Sequence, residues 1–353
     1  MARIVFVLTY PAYHGLSGST EWLSWDNRDS RLPALLASMG ADVEFWAVGE
    51  ETRTLLSDPR RGTPYPVRLF AADDRRGRSR DHVSSALNAA ARDDPADLFV
   101  LIGVDGGVGY KLYDQVLRPR TRRYAIILGG GHWSRLVPRA AFIFLESPVQ
   151  GRRLTRPPFW RRAYPAARTQ LVGQIIDFDV WKPIAAEPTY DLIAASRLVP
   201  YKSFDEIGRL SPRFRVAVAG DGPQRDALRA RYPHIAWLGQ VDRAEMPALL
   251  ARARVFFHAG RRDYLPRAII EAMACGKPVV GFRGSFDDYA IPERCGLLVE
   301  DRDYAARVAE LLADPERIER MGQAARDHVI AAHGPATSRA VCATLMRLAE
   351  RGA

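Results

Sequence analysis

Cysteine and lysine are both scarce in this chain. The three cysteines among 353 residues show no Cys-x-x-Cys spacing, which argues against a disulfide framework or a zinc site and fits a reducing compartment. Only four lysines occur, so the net charge of +10 comes almost entirely from arginine. Codon usage explains an arginine bias as readily as function does. The charge therefore favours anionic ligands in general and does not by itself indicate nucleic-acid binding.

Long hydrophobic runs are also missing. No apolar run approaches the roughly 18 residues that a transmembrane helix requires. The apolar segment at residues 4–8 is too short for a secretory signal, and no small-residue cleavage site follows it. It is typical of a fully buried parallel strand. We therefore expect a cytoplasmic protein.

The length favours two domains, and each half alternates short apolar runs with helical patterns. This alternation is typical of βαβ units and parallel sheets. Strands are predicted at 3–9, 42–48, 66–70, 97–104, 123–129 and 141–145, and then at 190–195, 214–219, 234–238, 254–258, 277–281 and 296–299. Helices are predicted at 202–210, 223–231, 243–252, 265–274 and 302–312.

Composition suggests where the halves divide. We expect an N-terminal domain at 1–175, a C-terminal domain at 176–335, and a final segment at 336–353 that packs back on the first half as a helix. The Pro- and Arg-rich stretch 151–183 is the expected hinge region.

The most informative segment is DYLPRAIIEAMACGKPVV at residues 263–280. On a helix, the eight-residue spacing of Asp263 and Glu271 corresponds to a rise of about 12 Å and an offset of roughly 80°, which puts both acids on one side. Pro266 suits the first helical turn, whose free N–H groups form an anion site. This order can hold the sugar, diphosphate and ribose of a sugar nucleotide. The alternative is an ordinary amphipathic helix with a capping Asp and a solvated Glu.

Two cations follow the predicted strand 190–195. Arg197 lies at its carboxyl end, where α/β sheets bind ligands, and Lys202 opens the next helix. Together they can neutralise a departing diphosphate. The alternative is a pair of surface cations. Glycines in the turn 219–223, after the next strand, permit positive φ and the close approach of a ligand or a neighbouring loop.

In this order and spacing, RLVPYK, AGDGP, WLGQV, DYLPRAIIEAMACGKPVV and CGLLV resemble the retaining GT-B glycosyltransferases of family four (glycosyl transferases group 1). The match covers residues 190–299. The resemblance implies an α/β protein of the GT-B fold, with two Rossmann-like domains facing a central cleft.

The resemblance also implies roles for individual residues. Arg197 and Lys202 would bind the donor diphosphate, Glu271 the ribose, and Asp263 the transferred sugar. His132 falls where the family often has a histidine near the sugar, although a turn histidine without a catalytic role is the alternative. The other implied donor contacts come from the first glycine loop, from the base-binding segment and from the entry to the helix: Gly15, Gly18, Gln240, Val241, Leu265, Pro266 and Arg267.

The acceptor side is expected in the first half. Trp22 and Trp25 lie in a long polar and aromatic segment after the glycine loop, and they suit a sugar or aminocyclitol. The alternative is that they are core residues. Residues 151–168 combine arginine with aromatic side chains; a solvated linker is expected there, and contact with a membrane is the second possibility.

The sequence also departs from the family pattern. Asp263 stands where the family has Glu, and Tyr264-Leu265-Pro266 replaces Gly-Phe-Gly. These changes surround the sugar pocket and leave the nucleotide side nearly intact. Nucleotide binding is therefore better supported than any particular sugar.

The expected function is a retaining, metal-independent glycosyltransferase without a cofactor, whose donor is a UDP- or GDP-sugar. Its acceptor would be a small molecule (a sugar, aminocyclitol or natural product) or a lipid-linked molecule. The alternatives are a non-catalytic sugar-nucleotide-binding protein and a GT-B-fold epimerase. We expect a monomer or homodimer that does not bind nucleic acid.

Overall fold

The computed structural model describes residues 1–24, 26–130, 133–261, 265–284 and 287–350. The chain divides into two compact units. Unit 1 contains residues 1–175 and the segment from residue 335 onward, and unit 2 contains residues 176–334.

Unit 1 is built on an eight-stranded sheet of order β3-β4-β2-β1-β5-β6-β7-β8. Neighbouring strands are parallel except β3, which is antiparallel to β4. The strands are β1 Arg3–Leu8, β2 Asp42–Gly49, β3 Arg53–Leu56, β4 Pro66–Ala71, β5 Leu98–Ile102, β6 Tyr124–Ile127, β7 Phe142–Leu145 and β8 Thr169–Leu171. The helices are α1 Ser19–Ser24, α2 Arg28–Ser38, α3 Ser85–Asp93, α4 Gly107–Leu112 and α5 Pro148–Thr155.

Unit 2 contains a six-stranded, wholly parallel sheet of order β11-β10-β9-β12-β13-β14. Its strands are β9 Tyr190–Ala195, β10 Val216–Ala219, β11 Ala236–Gly239, β12 Ala253–Phe257, β13 Val279–Phe282 and β14 Gly296–Val299. Its helices are α6 Asp205–Gly208, α7 Arg225–Arg231, α8 Met246–Ala251, α9 Arg267–Ala274, α10 Asp287–Ala290, α11 Tyr304–Leu312 and α12 Pro315–His333.

The last helix, α13 Pro335–Glu350, returns to unit 1. Its apolar residues Val341, Leu345 and Leu348 join the core cluster that contains β1 and α2 side chains such as Phe6 and Leu36. The helical spacing of these three residues is the physical reason that one side of α13 is buried.

The strand order places a topological switch point in each sheet. In unit 2, β9 connects to β10 on one side, and the chain then crosses to β12 on the other side. The connections on either side of β9 and β12 therefore run in opposite directions, which opens a crevice at the carboxyl ends of these two strands. In unit 1 the same reversal occurs between β1 and β5.

The predicted parallel sheets of both halves are confirmed, and every predicted strand is present. The sequence missed β3 and β8, because these short edge strands are only partly buried and lack a continuous apolar run. The helix predicted at 202–210 is wrong in extent. A 3-10 turn, Pro200–Lys202, precedes the single-turn helix α6, and Ser203 between them has a positive φ of 52°.

The stretch 151–183 is more ordered than a hinge. Helix α5 continues into it as far as Thr155, and β8 adds a strand to the unit 1 sheet. The apolar contact that favours this order is Leu154, which is fully buried in the unit 1 core.

Candidate functional site

The loop after β9 carries the two predicted diphosphate-binding cations. Arg197 is the second residue after the strand and is exposed, and its Nη2 donates to the Tyr201 hydroxyl at 3.3 Å. The Lys202 ammonium lies 5.4 Å from the centroid of the Tyr201 ring. The structure therefore brings both cations to one aromatic side chain at the carboxyl edge of the sheet, beside the switch point.

Two glycines fix the position of this loop. A Cβ atom at Gly220 would lie 1.9 Å from the Ser196 carbonyl oxygen, and one at Gly222 would lie 2.6 Å from the Leu198 carbonyl oxygen. Both glycines have positive φ, 133° and 157°. The Leu198 N–H donates to the Asp221 carbonyl at 2.9 Å. The glycine turn predicted to approach a ligand or a neighbouring loop thus contacts the Arg197 loop by backbone-to-backbone packing.

The segment after β12 forms the other side of the switch point. Helix α9 begins at Arg267, and Pro266 is its N-cap with φ −65° and ψ 123°. Pro266 therefore precedes the first turn instead of lying within it. The helix begins four residues after Asp263 in the chain, so the helical rise and offset predicted for Asp263 and Glu271 do not apply. Asp263 itself lies outside the described residues.

The Glu271 carboxylate is held between two arginines. Its Oε1 accepts from Arg243 Nη2 at 3.1 Å and from Arg267 Nη2 at 3.2 Å, and the Glu271 side chain is 16% exposed. The Arg243 guanidinium lies 5.6 Å from the Trp181 ring centroid, which orients it. These two charge-assisted contacts hold the Glu271 carboxylate in a defined orientation.

Arg243 was missed by the sequence analysis. It lies two residues after Val241, and a single arginine on a polar turn gives no signal of an ion pair with a residue 28 positions away.

The other residues predicted to contact the donor differ in how far their side chains are exposed to solvent. Gln240 is exposed and Val241 half-buried, directly after Gly239, whose φ is 68°. Leu265 is 6% exposed and its side chain packs in the unit 2 core. Leu265 can therefore contribute only its backbone to a ligand.

In unit 1, the loop after β1 is held through Glu50. The Ser19 N–H donates to Glu50 Oε1 at 2.9 Å, and a Cβ at Gly18 would lie 3.1 Å from the same oxygen. Burial alone would raise the pKa of Glu50, but the hydrogen bonds from Ser19 outweigh it and lower that pKa. Gly15 has a φ of 71° with open space around it. Gly18 thus allows the loop after β1 to approach Glu50 closely, and Gly15 allows it to turn at a positive φ where its surroundings are open.

The predicted acceptor residues have different outcomes. Trp22 is 8% exposed and its ring lies 5.1 Å from that of Phe45, so it is a core residue, as the alternative to acceptor binding required. The exposed part of Trp22 also lines a cavity of about 240 Å³ with Tyr65 and Arg61. Trp25 and His132 lie outside the described residues.

A buried charge cluster at the carboxyl edge of the unit 1 sheet was also missed. Arg28 is 5% exposed and pairs with Asp29 at 2.9 Å and with Glu146 at 3.0 Å. Glu146 Oε2 also accepts from the Gly130 N–H at 3.1 Å, which fixes the chain just before His132. Burial, reinforced by the carboxylates of Asp29 and Glu146, raises the pKa of Tyr10.

The glycines at 103–109 have a packing role. A Cβ at Gly106 would lie 1.9 Å from the Thr9 carbonyl oxygen, and one at Gly109 would lie 2.8 Å from the Thr9 side chain. These glycines allow the loops after β1 and β5 to touch at the switch point. Their presence therefore reflects close backbone packing and does not require a dinucleotide.

The described parts of the chain contain neither a cluster of metal ligands nor a helix that could span a membrane. No group of three or more His, Cys, Asp or Glu side chains is arranged to hold a metal ion. Likewise, none of the helices described above combines the length and the apolar character needed to cross a bilayer.

Comparison with known proteins finds sequence similarity over part of the chain. Residues 178–328 match the family model described as glycosyl transferases group 1. A GDP-mannose-dependent alpha-mannosyltransferase of Mycolicibacterium smegmatis is 32% identical over 146 residues, which cover 39% of this chain and 38% of that protein. A GDP-mannose-dependent alpha-(1-6)-phosphatidylinositol monomannoside mannosyltransferase of Mycobacterium tuberculosis is 29% identical over 214 residues, covering 50% of this chain and 55% of that protein. The chain thus spans about half, or less, of the curated relatives it matches.

Solved structures are similar over the whole chain. Sucrose-phosphate synthase from Thermosynechococcus elongatus has a TM-score of 0.74 at 16% identity, with 100% of both chains covered. Anabaena HepE in complex with UDP-glucose has a TM-score of 0.68 at 16% identity, with 98% of this chain and 100% of that chain covered. At this identity the likeness establishes the fold, and the predicted GT-B class is confirmed.

Proposed function

We propose that this chain, whose residues 178–328 match the family model described as glycosyl transferases group 1, transfers a sugar from a nucleoside diphosphate sugar to an acceptor hydroxyl. Unit 2 binds the donor, and the anomeric configuration is retained. The reaction needs no metal ion, since fixed cations take over the charge of the leaving diphosphate.

One observation carries this proposal: the loop that bears Arg197 and Lys202 is locked by backbone contacts at the switch point. The carboxyl edge of a doubly wound sheet is where such folds bind nucleotides. Two fixed cations there bind a diphosphate more strongly as its charge grows during departure, and they need no reorganisation at that moment. This is the differential stabilisation that a transferase requires.

Glu271 supports nucleotide binding from the opposite side of the switch point. Its carboxylate is oriented by Arg243 and Arg267, and we propose that this oriented carboxylate accepts a hydrogen bond from the ribose. We propose Arg243 as a positioning residue for this carboxylate. Gln240 and Val241, just before Arg243 in the chain, are proposed to contact the base.

GDP-mannose is the first donor to test. Both of the sequence relatives described above are GDP-mannose-dependent enzymes, whereas the UDP-bound neighbours share only the fold. Asp263, which lies outside the described residues, is proposed to contact the transferred sugar. Its side chain is shorter than the glutamate that the family has there, so hexoses other than mannose are tested as well.

The experiment is a thermal-shift panel with GDP-mannose, UDP-glucose, GDP and UDP. A ligand at 100 times its Kd stabilises by about 2.7 kcal/mol, which shifts the Tm of a unit of this size by roughly 5–10 °C. We expect one base family to give this shift, and Arg197→Gln and Glu271→Ala to abolish it. Arg229→Gln, which removes an exposed arginine of α7 in the same unit, is the matched control and should keep the shift.

The same panel can overturn the proposal. Absence of a shift with every nucleotide, or an equal shift in Glu271→Ala and wild type, would show that the donor does not bind at this site. If a variant has a lower Tm than wild type in the absence of ligand, the ligand-induced change in Tm is compared and not the absolute Tm.

Turnover distinguishes the transferase from a binding protein or an epimerase. A transferase releases nucleoside diphosphate in proportion to acceptor, also after dialysis against a chelator. An epimerase converts the donor to an isomer without needing an acceptor, and a binding protein does neither. The anomeric proton of the product, observed by NMR, reports whether configuration is retained.

The acceptor side is proposed for unit 1. His132 is proposed to act near the sugar, because Gly130, two residues before it, is fixed by the partly buried Glu146. Trp25 is the better aromatic candidate for acceptor contact, since Trp22 is mostly used in the core. The acceptor is a small molecule or a lipid-linked molecule, and the chain acts as a monomer or a homodimer in the cytoplasm.

We also propose peripheral contact with an anionic membrane through residues 151–168. Phe159 and Trp160 are 96% and 68% exposed, and their rings pack edge to face at 4.9 Å. Six arginines and no acidic residue occur between residues 147 and 176. Exposed aromatic rings amid arginine are suited to the interface of an anionic bilayer.

A further inference from the structure

A cavity of about 410 Å³ lies in unit 1, away from the switch point. Arg123 directly precedes β6, Phe142 begins β7, and Arg168 directly precedes β8. These three strands are neighbours and parallel, so the three residues meet at the amino edge of the sheet. The carboxyl edge, which carries the glycine loop and the Arg28 cluster, is at the other end of the same strands.

Helix α13 completes the cavity. Its Arg347 and Leu348 face the strand ends. Thr344 on the same helix is buried, and its hydroxyl is 2.9 Å from Gln170 Oε1 on β8. Arg347 Nη2 donates to the Thr344 hydroxyl oxygen at 3.1 Å. The helix is therefore tied to β8, and this fixes the third arginine relative to the other two.

The charge around the cavity is not balanced by the protein. Arg123, Arg168 and Arg347 form no ion pair with any residue in the described ranges, and no carboxylate lines the cavity. Three converging guanidinium groups repel one another unless an anion lies between them. Many other arginines of the chain do have acidic partners, for example Arg3 with Asp42, Glu44 and Asp94.

We propose that this cavity binds a phosphate ester. Guanidinium forks match phosphate oxygens in bidentate geometry, and a phosphate monoester brings close to two negative charges and three acceptor oxygens. A single carboxylate would leave two of the three arginines unneutralised. Phe142 and Leu348 add apolar walls that suit the organic part of the ester. The phosphate belongs either to a free phosphorylated metabolite or to a phospholipid headgroup.

The test uses the full chain and two kinds of probe. Glycerol 3-phosphate is titrated by isothermal calorimetry, and vesicles of phosphatidylcholine with phosphatidic acid are compared with vesicles of phosphatidylcholine with phosphatidylserine by flotation. Saturable binding of glycerol 3-phosphate identifies a free ester. Selective binding of phosphatidic acid vesicles without binding of the soluble probe identifies a headgroup.

In either case we expect Arg123→Gln and Arg347→Gln each to weaken binding about ten- to hundredfold, because each loses a charge-assisted contact. Arg118→Gln, which removes an exposed arginine of unit 1 outside the cavity, should bind as wild type does. Arg168→Gln, which changes an exposed residue, serves if Arg123→Gln fails to fold.

Two results would overturn the proposal. Binding of neither probe excludes the site, and equal binding by wild type and the cavity variants places the phosphate elsewhere. The proposal does not depend on transferase activity. The donor-induced thermal shift should be unchanged in these variants, so that failure here and failure of the proposed function can be told apart.

Discussion

Gly220→Ala tests whether the glycine turn positions the diphosphate-binding loop. The new Cβ would lie 1.9 Å from the Ser196 carbonyl oxygen. A tolerable separation is about 3.0 Å, so the loop must retreat by about 1.1 Å. The clash involves backbone, which cannot rotate away. Strain at a φ of 133° costs of order 1–3 kcal/mol and overpacking a further 1–3 kcal/mol.

A shift of about 1 Å in a substrate-positioning loop costs on the order of a hundredfold in rate. We therefore expect the variant to lose about 2–6 kcal/mol of unfolding free energy in urea and about a hundredfold in kcat/KM, with a smaller donor-induced thermal shift.

The matched control is Gly276→Ala. It also places a methyl group at positive φ, 73°, but the nearest atom is a proline ring carbon at 3.3 Å. This control should lose about 1–2 kcal/mol of stability and keep donor affinity. If Gly220→Ala matched the control in both measurements, the argument that the turn locks the Arg197 loop would be wrong.

Two further predictions concern stability and membrane contact. Burial lowers the pKa of His333 to about 4 from 6.5; the unfolded chain therefore binds more protons between these values, and the unfolding free energy should fall by about 3 kcal/mol as pH drops from 7 to 4. His333→Gln should remove this component from urea titrations and exposed His234→Gln should not; equal pH dependence in all three proteins would refute it. Replacing Phe159 and Trp160 by Ser should weaken flotation with anionic vesicles at least about tenfold, whereas Leu56→Ser, at another exposed apolar position of unit 1, should not. Unchanged flotation of the double variant would remove the membrane proposal.

The sequence predicted the sheets because their strands are buried on both faces. Runs such as residues 98–102 are fully buried and apolar throughout, a pattern that does not depend on distant neighbours. The edge strands β3 and β8 lack this pattern, because they become strands only by pairing with β4 and β7. The sequence predicts Pro266 in the first turn of α9, whereas the structure has it at the N-cap. The sequence pattern does not distinguish a proline at these two positions.

Local spacing identified Arg197, Lys202 and Glu271 as candidates, because their motif places each near the end of a strand or on a short helix. It could not identify their partners. Arg243 and Glu271 are 28 residues apart, and Arg28 and Glu146 are 118 apart. Such pairs arise only when the strand order brings separate loops together.

The sequence by itself determined the fold class and the residue types at the candidate donor site, because burial patterns and motif spacing are local properties of the chain. Only the tertiary structure decided that Gly220 and Gly222 lock the Arg197 loop, that Trp22 belongs to the core, and that three arginines with no acidic partner among the described residues meet around one cavity. The physical reason is the same in each case: close backbone packing, burial and charge balance depend on contacts between residues far apart in the chain.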